Sequence, residues 1–288
     1  MLQQTQVATV SPYYKEWLRR FPNFTALVQA SGNDVLDCWQ GLGYYARARN
    51  LHHAAKLVME RHRGRFPRAI TAMQQLPGIG KYTAHAVATF AFDQAVPVVE
   101  ANTARVLARI FNLRLPIDST SGKDALWHYA ASLIPKSQPA IYNSALLDLG
   151  ALVCRPRRPK CRICPVRKFC RAKRPESLPI KRPRRPQKRL VERHAFINSN
   201  GKLLLQRSAC RWRGMWILPG LSGSSGNECA IYQAAFPFTN HRITLQIFPR
   251  RSLNSQNRQQ CFFSKRELEH IPIPSPHRRA IEQLFVAA

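Results

Sequence analysis

The chain has 288 residues and a mass of 32.9 kDa, more than one comfortable hydrophobic core and enough for two modest domains. Lys and Arg number 45 against 15 Asp and Glu, a formal charge of +30, while 45% of residues are hydrophobic and 9% aromatic. That balance excludes a disordered polyelectrolyte, because a folded interior is available, and it calls for a polyanionic partner. The first residues do not have the pattern of a signal peptide, and no apolar run is long enough to span a bilayer. Membrane surfaces also attract cations, but the basic residues here fall in Pro-broken stretches, not on a long amphipathic helix. The expected partner is nucleic acid, in a reducing compartment.

Residues 1 to about 150 read as successive helices, with apolar residues three and four apart and short Gly/Pro breaks between. In Leu51–Met59, for example, Leu51, Ala54, Ala55 and Val58 share one face, and the pattern stops before Phe66-Pro67. Leu76-Pro77-Gly78-Ile79-Gly80-Lys81 then joins two helical stretches through a turn containing two glycines. Gly78 and Gly80 let the backbone approach a ligand, and a helix opening at Lys81 offers free N–H groups and a positive dipole end, which suits a phosphate. From Cys154 to Arg193 the composition shifts: seventeen Lys/Arg stand against Glu176 and Glu192, with seven prolines. The later part of this stretch, 175–191, reads as a basic linker. Beyond it, 195–197, 203–206 and 243–248 look like strands between Asn/Ser/Gly turns. The fold class expected is therefore α + (α+β): an all-α domain over 1–174, the linker, and a small α+β domain over 192–288.

Of eight cysteines, Cys154, Cys161, Cys164 and Cys170 fall within seventeen residues, spaced C-x6-C-x2-C-x5-C. The residues between them are largely Arg, Lys and Pro and have little to bury, so the spacing implies a metal centre. Four thiolates suit zinc or an iron-sulfur cluster. Cys38, Cys210, Cys229 and Cys261 are scattered and read as small apolar residues.

This spacing resembles the 4Fe-4S loop of the endonuclease III superfamily of DNA glycosylases, and the two-glycine turn resembles its helix-hairpin-helix. The likeness sharpens to the MutY-type adenine glycosylases in four segments: Met1–Val7, Gly41–Leu51, the hairpin, and Leu149-Gly150-Ala151 running into the cysteines. The resemblance implies a 4Fe-4S cluster on the four cysteines of loop 154–170. It also implies removal of adenine mispaired with 8-oxoguanine or guanine, by flipping the base out and cleaving its N-glycosidic bond. In bifunctional relatives the hairpin carries a lysine that attacks the sugar; here Tyr82 stands there, and a phenol cannot form that imine. A monofunctional enzyme is expected, with Lys81 close enough for weak adventitious lyase chemistry. Glu100 stands where the family usually has an aspartate stabilising the oxocarbenium-like transition state, with Asn102 two residues on. The general-acid glutamate of the family lies just before the Met-Leu-Gln-Gln-Thr segment, so the expectation is that the natural protein begins upstream of Met1. Gln4 resembles the side chain inserted at the lesion, and Leu42 and Tyr44 the wedge beside it. Gly78, Gly80 and Lys81 are the expected backbone contacts. Ser144 replaces a Glu or Gln that contacts adenine in relatives.

Leu203–Arg207 followed by Gly214-Met215-Trp216-Ile217-Leu218-Pro219-Gly220 resembles the Nudix-like domain with which MutY-type enzymes read 8-oxoguanine. The carboxylate-rich helix of a Nudix hydrolase has no counterpart after Gly220, where only Glu228 is available, so hydrolysis of nucleotides is not expected. Phe238, Thr239 and Asn240 occupy the loop where the family often has Phe-Ser-His against the lesion. The expected protein is a monomer on double-stranded DNA, in the bacterial cytoplasm with the nucleoid. Two other readings remain: a lesion-binding protein without chemistry, and a pyrimidine- or thymine-mismatch glycosylase of the same superfamily.

Overall fold

A computed structural model describes residues 1–2, 5–183, 186–221, 228–252 and 259–286. Their contacts divide the chain into two compact units, Arg65–Arg184 and a second one joining Met1–Gly64 to Arg185–Ala288. The boundaries read from sequence, 174 and 192, follow the composition; the contacts follow the cores, and those divide the chain at 64 and 184. None of the helices among the described residues is long and apolar enough to cross a membrane.

The discontinuous unit opens with α1 (Val7–Arg20), α2 (Phe24–Gln29), α3 (Gly32–Cys38) and α4 (Ala46–His62). Asn23 caps α2 by accepting from the Ala26 amide at 2.9 Å, and Ser31 and Asp34 form a reciprocal capping box on α3, each satisfying amides a helix start leaves orphaned. Trp17 and Trp39 meet edge to face at 5.5 Å in a core with Val10, Leu36, Leu42 and Ala48. Trp212, Met215 and Ile217 enter that same core from the other end of the sequence. This is why residues 1–64 group with the C-terminal segment. On α4, Ala54, Ala55 and Val58 are buried as expected, but Leu51 is 38% exposed. Periodicity gives an angle around a helix, and only the neighbouring elements decide which part of that stripe is covered.

The continuous unit holds α5 (Ile70–Gln74), α6 (Lys81–Phe92), α7 (Ala101–Ile110), α8 (Thr120–Leu133) and α9 (Pro139–Asp148). The last runs on into a π-helical turn, Leu149–Val153. Ala104, Leu107, Ala108, Leu113, Leu126 and Ala130 make its main core, and Met73, Ala84 and Ala88 a smaller one beside the hairpin. The stretch read as linker is tied down at its start: Leu178 is buried, the Ile117 amide donates to the Ile180 carbonyl at 2.9 Å, and the Arg182 amide donates to Asp118 at 3.0 Å.

Back in the discontinuous unit, β1 (Lys188–Phe196) begins inside the expected linker. It pairs in parallel with β6 (His241–Pro249), which pairs antiparallel with β5 (Tyr232–Phe238). A second sheet joins β2 (Asn198–Ser199), β3 (Lys202–Arg207) and β4 (Trp216–Ile217), with β7 (Gln260–Ser264) on the other side of β3. The Ala195 amide donates to the Pro219 carbonyl at 2.8 Å and links the two. With α10 (Lys265–Glu269) and α11 (Ser275–Val286) these sheets bury Leu203, Leu205, Leu218, Leu245, Ile247 and Ile281. The expected strands 203–206 and 243–248 lie inside β3 and β6, while of 195–197 only Ala195 and Phe196 belong to β1, which ends before Ile197. Cys38 is buried, but Cys210, Cys229 and Cys261 are exposed, so only the first behaves as a small apolar residue.

Candidate active site and cysteine centre

In the continuous unit, the hairpin turns at Gly78, whose φ of +78° is a left-handed conformation that suits glycine. Gly80 differs: its φ is −85°, it caps α6, and a side chain there would meet nothing within 4 Å. The protein's own packing therefore does not require glycine at 80, and the space over its backbone is open. Lys81 opens α6 as expected, with its Nζ 4.2 Å above the Trp127 ring.

One turn of chain later a cavity of about 290 Å³ opens between α6, α7 and α8. Lys81, Tyr82, Glu100, Lys123, Leu126 and Trp127 line it. Glu100 is the N-cap of α7: its Oε1 accepts from the amides of Asn102 at 2.6 Å and Thr103 at 2.9 Å, and its own amide donates to Thr103 Oγ1 at 2.8 Å. Both carboxylate bonds fall on Oε1, so the charge is anchored through one oxygen. Tyr82 is 39% exposed, and burial together with the Glu100 charge pushes its phenol above the usual tyrosine range. A fixed carboxylate beside a neutral phenol can stabilise a cation developing on a bound sugar, and the phenol itself forms no imine.

The segment leading into Glu100 is held by a residue the sequence reading passed over. Asn143, buried on α9, accepts from the Val98 amide at 3.0 Å and donates to the Val96 carbonyl at 3.1 Å and the Pro139 carbonyl at 3.0 Å. Asn102 is placed away from the cavity: its Oδ1 accepts from Arg105 at 2.9 Å, and its Cβ would lie 2.7 Å from a Cβ added at Gly150. Arg105 and Arg109, both buried on α7, carry the connection onward. Arg105 donates to the carbonyls of Gly150 at 2.6 Å and Cys154 at 2.8 Å. Arg109 donates to those of Cys154, Arg155, Pro156 and Leu178, and to the Cys154 sulfur at 3.2 Å. Two arginines four residues apart on an otherwise apolar helix face were the available sequence signal.

The cysteine loop is built from single helical turns, Cys161–Ile163 and Arg167–Phe169, between extended residues. Burial raises the Cys164 thiol, a backbone hydrogen bond at Val166 lowers it, and the nearby Cys154, Cys161 and Cys170 raise it further. Among the described residues no three His, Cys, Asp or Glu converge closely enough to share one metal ion. Four thiolates are a donor set that suits either zinc or an iron-sulfur cluster. Arg155, Arg157, Arg158, Lys160, Arg162, Arg167 and Lys168 on this loop are all exposed.

The remaining sequence-selected residues lie in the discontinuous unit. Leu42 is buried at 5% exposure in the tryptophan-containing core, whereas Tyr44 is 53% exposed at a φ of +47° with the Arg47 guanidinium 5.5 Å from its ring. A wedge needs the exposure of Tyr44; Leu42 in this structure is core. Gln4 lies outside the described residues. Thr239 and Asn240 form the exposed two-residue turn between β5 and β6, with Thr239 at φ +49° and the Asn240 carbonyl accepting from the Lys188 amide at 3.0 Å. Phe238 turns inward beside Trp212 at 6.1 Å and Arg211 at 4.8 Å. Glu228 accepts from Arg250 at 2.5 Å and from Arg193 at 3.5 Å. Ser144 is exposed on α9.

The helical unit thus carries a two-glycine hairpin, a capped carboxylate in the adjoining cavity and a four-cysteine loop. The model of the HhH-GPD superfamily of base excision DNA repair proteins matches residues 1–122. Adenine DNA glycosylase of Mus musculus is 46% identical over 173 residues, 60% of this chain and 34% of that protein. Adenine DNA glycosylase of Buchnera aphidicola from Acyrthosiphon pisum is 27% identical, over 98% of this chain and 87% of that one. Among solved structures, a thermostable thymine-DNA glycosylase is similar at 31% identity and a TM-score of 0.54, covering 59% of this chain and 78% of that one. The chain belongs to the HhH-GPD superfamily of base excision DNA repair proteins. It spans about a third of the length of the mammalian relatives it matches.

Proposed function

We propose that the protein is a monofunctional DNA glycosylase of base excision repair that excises adenine mispaired with 8-oxoguanine or guanine. The observation that carries the reading is the Glu100 carboxylate, anchored by two amides in the cavity that also holds Tyr82, beside the hairpin. As the N-glycosidic bond breaks, positive charge grows on the sugar, and a carboxylate already fixed in place stabilises it without reorganising. Tyr82 packs against the same space and withholds the amine that a sugar imine requires. Open backbone over Gly80 and the start of α6 receive a backbone phosphate.

The four cysteines would hold a 4Fe-4S cluster. It would supply a rigid centre for the loop whose exposed arginines and lysines meet the phosphate backbone; Arg105 and Arg109 tie the base of that loop to the helix that Glu100 caps. The sheet-containing region reads the 8-oxoguanine through the Phe238–Asn240 turn in a Nudix-like manner, and Tyr44 serves as the wedge. The protein acts as a monomer on duplex DNA in the bacterial cytoplasm.

The test is single-turnover base release from duplexes carrying adenine opposite 8-oxoguanine, adenine opposite guanine, or thymine opposite guanine. Adenine release lowered about a hundredfold or more by Glu100→Gln supports the reading. The similarity to a thymine-DNA glycosylase gives the second reading its footing, and preferential thymine release would replace the first with it. Binding to all three duplexes with no release would mark a lesion-binding protein.

A further inference from the structure

We propose that a second cavity, within the unit joining residues 1–64 to 185–288, binds a phosphate ester. The cavity measures about 500 Å³, and its lining includes Asn33, Arg49, His52, His53, Lys56 and Arg207. That volume falls in the range of small-ligand sites. Among the described residues lining it there is no Asp or Glu. The nearest acids on α3 are otherwise engaged: Asp37 lies 3.1 Å and Asp34 3.9 Å from Arg20, and Asp34 also accepts from Ser31.

The cations are also positioned. Arg49 donates to the Arg213 carbonyl at 2.9 Å; Arg207 donates to the Gly214 carbonyl at 2.7 Å, and its guanidinium stacks 4.7 Å over Trp216. Each planar fork is thus oriented through one backbone oxygen and has further N–H groups to offer a phosphate oxygen. Like charges crowd the walls. Burial and then the Arg213 charge lower the Arg49 guanidinium, and burial followed by Lys56 lowers His52. An anion in the cavity relieves both repulsions, whereas water does not. The size and the three separate cations fit a phosphate ester better than a single halide-sized ion. The phosphate is either that of a DNA backbone or that of a free nucleotide; the recognition chemistry is the same. This site stands apart from the Glu100 cavity, and its test does not depend on base excision.

The experiment uses the full chain and its variant His53→Gln/Lys56→Gln, both positions being exposed so that folding is preserved. Lys15→Gln, an exposed position on α1, is the charge control. Calorimetric titration with inorganic pyrophosphate, and duplex binding across a salt series, are measured on each. The expected result is a loss of pyrophosphate affinity of about tenfold or more in the variant. A fall of the duplex salt slope by about one per phosphate contact identifies DNA as the source; an unchanged slope identifies a free phosphate ester. A change in neither quantity, or an equal change in Lys15→Gln, overturns the proposal.

Discussion

Asn143→Ala is the perturbation whose cost follows most directly from the structure. The side chain is buried and makes three hydrogen bonds, but they are not equally replaceable. The Val96 carbonyl keeps Thr89 Oγ1 at 2.9 Å, and the Pro139 carbonyl lies one turn back on the same helix. The amide of buried Val98 accepts no substitute. One orphaned buried N–H costs about 1–3 kcal/mol, and truncating a packed side chain adds roughly 1 kcal/mol, so the variant should lose about 2–4 kcal/mol in denaturant unfolding. Because Val98 is two residues before Glu100, the carboxylate should shift as well, and a displacement of about 1 Å is enough to cost on the order of a hundredfold in rate. The assays are urea unfolding followed in parallel with single-turnover base release. Thr89→Val should cost less, since Asn143 still serves Val96, and the double variant should lose more than the sum because that carbonyl is then bare. A change in Asn143→Ala below about 0.5 kcal/mol, with unchanged rate, would refute the claim that this amide positions the catalytic segment.

Glu100→Gln keeps an oxygen acceptor for the two capping amides while removing the charge, so stability should stay within about 1 kcal/mol of the parent while excision falls about a hundredfold to a thousandfold; equal losses in both would mean that Glu100 is only a cap. Gly150→Ala places a Cβ 2.7 Å from that of Asn102 and 3.0 Å from its backbone; overpacking of this kind costs about 1–3 kcal/mol, readable as a lowered urea midpoint. His194 and His277, buried with rings 4.7 Å apart, are both lowered by burial, His277 well below the usual imidazole range and further by the His194 charge. Folded imidazoles that resist protonation bind fewer protons than unfolded ones. Stability is therefore fully present above the unfolded value of about 6.5 and falls as pH drops below it, by up to about 1.4 kcal/mol per pH unit for each histidine. His277→Gln should flatten that dependence in unfolding measured between about pH 7 and 5.

Some of this molecule was legible because its signals are local. The charge balance, the helix opening at Lys81 and three of the strands each depend on residues within a few positions of one another, and the pattern of a helix or a strand is written at that range. The cysteine spacing implied a metal centre for the same reason. Glu100 was singled out through the family resemblance, but that its charge rests on Oε1, and that Tyr82 and Lys123 share its cavity, depends on how α6, α7 and α8 pack. Asn143 gave no warning, and Arg105 and Arg109 gave only their spacing on an apolar helix face, because a buried polar side chain is defined by the backbone groups it satisfies, and those are brought to it from distant parts of the chain. Leu42 and Leu51 show the converse: their apolar character was plain, yet burial went to the one expected at the surface and exposure to the one expected in the core. Grouping residues 1–64 with 185–288 is likewise a tertiary decision. It rests on Trp212, Met215 and Ile217 finding the core begun by Trp17 and Trp39, an apolar match that favours burial wherever surfaces fit and that sequence order does not reveal.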